Sequence, residues 1–209
     1  MDESKILALF PSVFLIARVA DHTAIAKRLL PEIDKIRTAV PNGPAAGWAC
    51  PVFSTLTSDP FLHRRDAFRE IADVFHEEIL AFAQRKSVEL DSRAISIDRC
   101  WLNVLCRGHS MDVHNHPNSF FTGIYFLQAP TDGASLSLHN PTQGIGLSVP
   151  IKKETPLNQE ACTYQPVAGD LVMFDSYIAH SFRVHQSNEE HINLSFTAAG
   201  PVSSMVVQS

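Results

Sequence analysis

Gly169-Asp170-Leu171-Val172-Met173-Phe174-Asp175-Ser176-Tyr177-Ile178-Ala179-His180 reads as a turn, a short apolar strand and a histidine shortly after the strand. The Gly-Asp pair marks the turn. An apolar run this brief, bounded by turn residues, suits a buried strand better than a helix. Working outward, Ile95 to Leu105, Phe120 to Gln128, Ser135 to Leu138 and His191 to Thr197 share this texture, with Gly, Pro, Asn and Asp between them. The first half of the chain differs. Ile6 to Val19 reads as one or two short strands broken at Pro11, and Asp21 to Val40 as a helix whose Ile25, Leu29, Ile33 and Ile36 share one face. Pro31 conflicts with that helix and predicts a kink or a restart. Ser58-Asp59-Pro60 supplies the cap residues expected of a second helix, along which Phe68, Ile71, Phe75, Ile79 and Phe82 form a stripe. Helices followed by many strands predict an all-β core with helices packed outside it. With no repeat and no Ser/Gly linker, a single domain over 1–209 is expected, residues 1–93 supporting a β-core at 94–209.

Composition narrows the function. The 209 residues are 45% apolar and 19% charged, which excludes a disordered chain and a coiled coil. A net charge of −5 supplies no field for a phosphate backbone, so nucleic acid is not an expected partner. The start, Met1-Asp2-Glu3-Ser4, is acidic where a secretory leader is basic, and no apolar run reaches the roughly 18 residues of a membrane span. Cys50, Cys100, Cys106 and Cys162 have no CxxC spacing and read as reduced thiols, so a cytoplasmic protein is expected. A homodimer is among the oligomeric states left open.

Seven of the ten histidines fall between His109 and His191. In Asp112-Val113-His114-Asn115-His116-Pro117-Asn118-Ser119, an extended backbone projects His114 and His116 to one face. Two imidazoles so placed can grip one ion from adjacent corners. A barrel can bring His180 beside them from far downstream. Three neutral nitrogen ligands with open positions suit a borderline metal such as Fe(II). The alternative for the pair is a solvated turn, and for His180 a hydrogen-bonded core histidine.

Phe10-Pro11, Gly47-Trp48, Trp101-Leu102-Asn103-Val104, His114 to Ser119, Thr122-Gly123-Ile124-Tyr125-Phe126-Leu127, Asn140-Pro141, Gly169 to Phe174 with His180, and Ile192-Asn193-Leu194-Ser195-Phe196 together resemble the small 2-oxoglutarate/Fe(II)-dependent oxygenases. The resemblance implies a double-stranded β-helix, a jelly-roll or cupin-like barrel with its metal inside the mouth. It implies Fe(II) as cofactor and 2-oxoglutarate as cosubstrate, with oxidative decarboxylation to succinate and CO₂ coupled to hydroxylation of a small organic substrate by O₂.

Two positions depart from that family. Its iron is held by His-x-Asp/Glu and a distal histidine; carried over, these are His114, His116 in place of the carboxylate, and His180. Asp112 is the reserve carboxylate and Asp175 a more distant one. The family also anchors the far carboxylate of 2-oxoglutarate with a basic residue where this chain has His191, which lacks arginine's planar fork. Arg183 and Arg107 are the candidate substitutes; Tyr125, Ser195 and Asn103 could offer hydrogen bonds instead. His139 and His185 are candidate supporting groups. These departures keep two alternatives open: a three-histidine iron dioxygenase that does not use 2-oxoglutarate, and a jelly-roll binding module without catalysis. Loops 41–60, 107–119 and 140–166 are expected to shape the pocket. Imidazole ligation predicts that metal affinity falls below about pH 6.5.

Overall fold

The computed structural model describes residues 4–6, 9–88, 95–142 and 150–200. The proposed boundary at 93/94 and the middle of loop 140–166 lie outside the described residues. Strands β1 (Phe14–Arg18), β2 (Phe53–Ser54), β3 (Ser96–Leu105), β4 (Met111–His114), β5 (Phe121–Gln128), β6 (Leu136–His139), β7 (Ala161–Tyr164), β8 (Asp170–Asp175), β9 (His180–Phe182) and β10 (His191–Ala199) form two antiparallel sheets. The larger has the order β1-β8-β5-β10-β3-β2 and the smaller β4-β9-β6-β7. The sheets face each other as a double-stranded β-helix.

Helix α1 (His22–Ala39) and helix α2 (Arg69–Arg85) cover the outer face of the larger sheet. Ile25, Leu29, Ile33 and Ile36 of α1 are buried there, as are Phe68 and the Ile71, Phe75, Ile79 and Phe82 stripe of α2. Pro31 does not break α1: it sits inside the helix on the exposed side, where water can satisfy the carbonyl one turn back. Ser58-Asp59-Pro60 does not start α2. Two 3-10 turns, Leu62–Arg64 and Asp66–Phe68, intervene, and Asp59 instead pairs with Arg65 at 2.5 Å. Of the expected Ile6 to Val19 strands, β1 is the one the described residues contain. No helix among the described residues is long and apolar enough to cross a membrane, and all four cysteines are unpaired.

Strand parity divides the larger sheet into two chemistries. On β10, Ile192, Leu194, Phe196 and Ala198 join the helix-side core. His191, Asn193, Ser195 and Thr197 alternate with them and point between the sheets. Ile124, Phe126, Val172 and Phe174 meet Met111, Leu136, Leu138 and Phe182 of the smaller sheet there. Gly123 fits this scheme because its helix-side position is taken by the Phe196 ring: an added Cβ would lie 2.0 Å from that ring, which stacks on Phe75 at 4.4 Å. Gly123→Ala is expected to destabilise the fold by about 2–3 kcal/mol through overpacking, read as a lowered urea midpoint. A midpoint within error of wild type would contradict the tight Phe75–Phe196 stack.

Candidate metal centre

His114 and His180 face each other across the β4/β9 pair as Cα partners. His116 follows two residues on, its backbone N–H donating to Ser176 O at 3.1 Å. One ligand atom from each of the three imidazoles lies within 4.8 Å of the others. Ring centroids are 4.3 Å apart for His114–His180 and 5.2 Å for His116 against either neighbour. Sequence-distant strands thus converge on a volume that suits a single ion.

Local hydrogen bonds set which nitrogen each ring offers. His114 Nδ1 donates to Asp112 O at 2.7 Å, leaving Nε2 with a free lone pair. His180 Nδ1 has a longer contact to Ile178 O at 3.4 Å. His116 Nε2 is buried with no hydrogen-bond partner, a condition that costs free energy unless something binds it. Trp48 packs on His114, Trp101 on His116 and Phe174 on His180, at centroid distances of 5.5, 5.2 and 4.9 Å. Half-burial of His114 and His116 and full burial of His180 disfavour the protonated rings. Burial pushes His116 down to about 3, helped by His114 and Arg99. It lowers His180 well below its ordinary value, again with His114 and His116 adding repulsion, and lowers His114 against the opposing pull of Asp112. The donor set therefore fits a divalent cation.

These depressed values revise the pH expectation. A ring whose proton affinity is already low competes weakly with a metal, so affinity holds to more acidic conditions than the free-imidazole value suggests. Ni(II) affinity is expected to change less than about threefold between pH 8 and about pH 6. A tenfold fall over that range in a competition titration would contradict it.

The structure draws some expected site residues together and separates others. Asp112, the reserve carboxylate, is exposed and accepts from Ala49 N at 2.9 Å through Oδ2. Asp175 is ion-paired with Lys86. Asn103, Ser195 and His191 point between the sheets, but Tyr125 does not. Its strand parity turns it toward the helices, where it contacts Phe75 and its hydroxyl lies 2.6 Å from His22 Nδ1. Tyr125 is thus corrected from a cosubstrate contact to a helix–sheet contact. Arg183 is likewise corrected: it follows β9 on the outward parity of Ser181 and is exposed. Arg107 is exposed and donates to Asn188 at 2.8 Å. His139 reaches Ser181 Oγ at 3.0 Å, and His185 bridges Ala134 N and Glu189 O near the β9–β10 turn.

A cavity of about 250 Å³ lies beside His116, and Asp98 and Arg99 on its wall are residues the sequence had not singled out. Its walls include Asp98, Arg99, Trp101, Asn118, Ser119 and Thr197. Asp98 sits at a bulge opposite β10 and accepts from Thr197 Oγ1 at 2.5 Å. Alternation from Trp101 back to Arg99 was the available signal.

Three imidazoles clustered in a jelly-roll barrel make a candidate metal site. Residues 99–197 match the sequence family described as "Putative 2OG-Fe(II) oxygenase". Curated sequences give no significant match. Among solved structures, the chain is similar to a Pseudomonas putida prolyl-4-hydroxylase, with a TM-score of 0.60 and 15% identity over 90% of this chain and 93% of that one. HygX from Streptomyces hygroscopicus, solved with nickel and 2-oxoglutarate, gives 0.61 and 10% over 91% and 84%. The α-ketoglutarate-dependent epimerase SnoN from nogalamycin biosynthesis gives 0.66 and 11% over 90% and 77%. At these identities the likeness speaks for the fold.

Proposed function

We propose that the protein is a non-haem Fe(II) dioxygenase that uses 2-oxoglutarate and O₂ to oxidise a small organic substrate. The observation that carries this reading is the mutual approach of His114, His116 and His180 within 4.8 Å at the barrel mouth. The family match and the solved relatives' cosubstrate support it. When bound, the iron supplies the redox and O₂-activating chemistry.

The chain's own residues do the rest. His114 is held by Asp112 O so that Nε2 stays a lone-pair donor. Trp48, Trp101 and Phe174 pack against the imidazoles and cover part of their surface, which strengthens electrostatic contacts there. The cavity beside His116 offers a small substrate a wall of mixed character, apolar at Trp101 and Leu56 and charged at Arg99 and Asp98.

A second reading is favoured by the imidazole at the usual carboxylate position and by His191 at the usual arginine. It is a three-histidine dioxygenase whose substrate chelates the metal without 2-oxoglutarate. One experiment separates them. Fe(II)-loaded protein with 2-oxoglutarate under O₂ is expected to form succinate in step with O₂ uptake. Consumption of O₂ on a substrate panel with no succinate would favour the second reading, and neither would sink both.

A further inference from the structure

The inner faces of β3 and β10 continue past the imidazole cluster toward the start of β3. Ser195 opposes Trp101, and one step further out Thr197 opposes Arg99. Trp101 packs on His116, so its level on the strand is that of the candidate metal centre. Arg99 stands two residues away along β3, about 7 Å, and strand parity turns it to the same side as Trp101. Both line the cavity of about 250 Å³ beside His116. That volume lies below the roughly 300–1,000 Å³ of pockets for drug-sized ligands, so it suits a small molecule.

Leu56, Trp101 and Pro117 give the cavity an apolar side, and Asp98 and Arg99 are its charged side chains. The two charges are not equally available. Asp98 Oδ1 accepts from Thr197 Oγ1 at 2.5 Å, and its Oδ2 accepts from Ser119 Oγ at 3.5 Å. The carboxylate is thus engaged in tying β10 and the loop after His116 to the end of β3. Arg99 is exposed, and among the described residues no carboxylate lies within ion-pair reach of its guanidinium. Its charge is near enough to His116 to oppose protonation of that ring. A guanidinium presents five N–H donors in a planar fork that matches the two oxygens of a carboxylate.

Resting on the reading above of an iron oxygenase for small organic substrates, we propose that the substrate is a small carboxylic acid, its carboxylate held by the Arg99 fork and its apolar body laid along Trp101, Leu56 and Pro117 beside His116. The neutral amide of the same acid fits the fork poorly, because it sets an N–H₂ donor against N–H donors. An amine adds a like charge beside Arg99. The apolar side rewards a hydrocarbon body, and the cavity volume limits its size.

The test uses Ni(II)-loaded protein saturated with N-oxalylglycine, a 2-oxoglutarate mimic that does not turn over, and calorimetry with matched pairs: butyrate, hexanoate, phenylacetate and 3-phenylpropionate against their amides. At least one acid is expected to bind about ten- to hundredfold more tightly than its amide, the scale of hydrogen bonds to a charged group. Arg99→Met is expected to abolish that preference, with affinities for Ni(II) and N-oxalylglycine unchanged. No preference for any acid in the wild type overturns the proposal. So does a preference that survives Arg99→Met, which would place the acid on the metal instead. A parallel loss of N-oxalylglycine affinity in Arg99→Met also overturns it, by assigning the fork to the cosubstrate. Failure of N-oxalylglycine to bind the wild type sinks the 2-oxoglutarate reading alone, and the acid–amide comparison on the Ni(II) protein without it still decides the role of Arg99.

Discussion

His180→Ala is expected to reduce Fe(II) or Ni(II) affinity by more than about 100-fold, the scale already reached by losing partners outside the coordination sphere, and to abolish succinate formation. His180 is the imidazole contributed from the opposite strand, fully enclosed and 4.3 Å from the His114 ring. Without it, His114 and His116 remain as two ligands two residues apart on one side of the ion. The substitution also removes a buried ring that packs on Phe174, which costs stability through the cavity left behind, so affinity is measured under conditions where circular dichroism shows the variant folded. Equilibrium dialysis at pH 7.5 under nitrogen measures it. Wild-type-like affinity would remove the three-imidazole centre from the account.

His116→Asp provides the opposing arm. It installs the carboxylate of the His-x-Asp/Glu pair in the oxygenases this sequence resembles, adding one negative charge beside a divalent ion. Retained or tighter metal binding is expected, against the collapse in His180→Ala. If both variants lose metal equally, His116 is held by packing on Trp101 and cannot be exchanged for a shorter ligand.

Much of this architecture was legible because the strands are bounded by turn residues and the helices carry apolar stripes. The Ile95–Leu105, Phe120–Gln128 and His191–Thr197 runs emerge as β3, β5 and β10 within one or two residues. Of the short strands, β6 lies within one residue of the Ser135–Leu138 run, whereas β4, β7 and β9 were not legible. β9 has three residues, too few to show alternation, so His180 read as lying past a strand when it begins one. Tyr125 was misplaced for another reason. Seven of the eight β5 residues are buried, on both faces, so hydrophobicity could not tell which face looks into the barrel. β10 did carry that information: polar His191, Asn193, Ser195 and Thr197 interleave with Ile192, Leu194 and Phe196. Asn193 was findable from this pattern alone. Asp59-Pro60 failed as a helix start because a cap motif specifies a local turn, and here the 3-10 turns and the Arg65 pair use it first.

The apo protein is expected to lose stability steeply with acid, starting near the ordinary histidine pKa. Burial is the leading cause that lowers His116 and His191 from 6.5 to about 3 and drives His180 well below 6.5. Below pH 6.5 the unfolded chain therefore binds protons that the folded chain refuses. Stability rises with pH wherever the unfolded state holds more protons, so it must fall as pH drops through this window. Each such histidine contributes about 1.4 kcal/mol per pH unit, and three together about 4 kcal/mol per unit. Set against a native stability of roughly 5–15 kcal/mol, that slope places the acid unfolding midpoint between about pH 3 and about pH 5. Urea titrations by circular dichroism at successive pH values measure the slope. His191→Phe should reduce it by about one third, because Phe126 and Phe182 already offer that position an aromatic setting and the substitution deletes one refused proton. It should also raise stability at neutral pH, since two unpartnered ring nitrogens leave the core. A slope near zero between pH 6.5 and 5, or one unchanged in His191→Phe, would mean that these rings are hydrated in solution and that the interior of the barrel is wet.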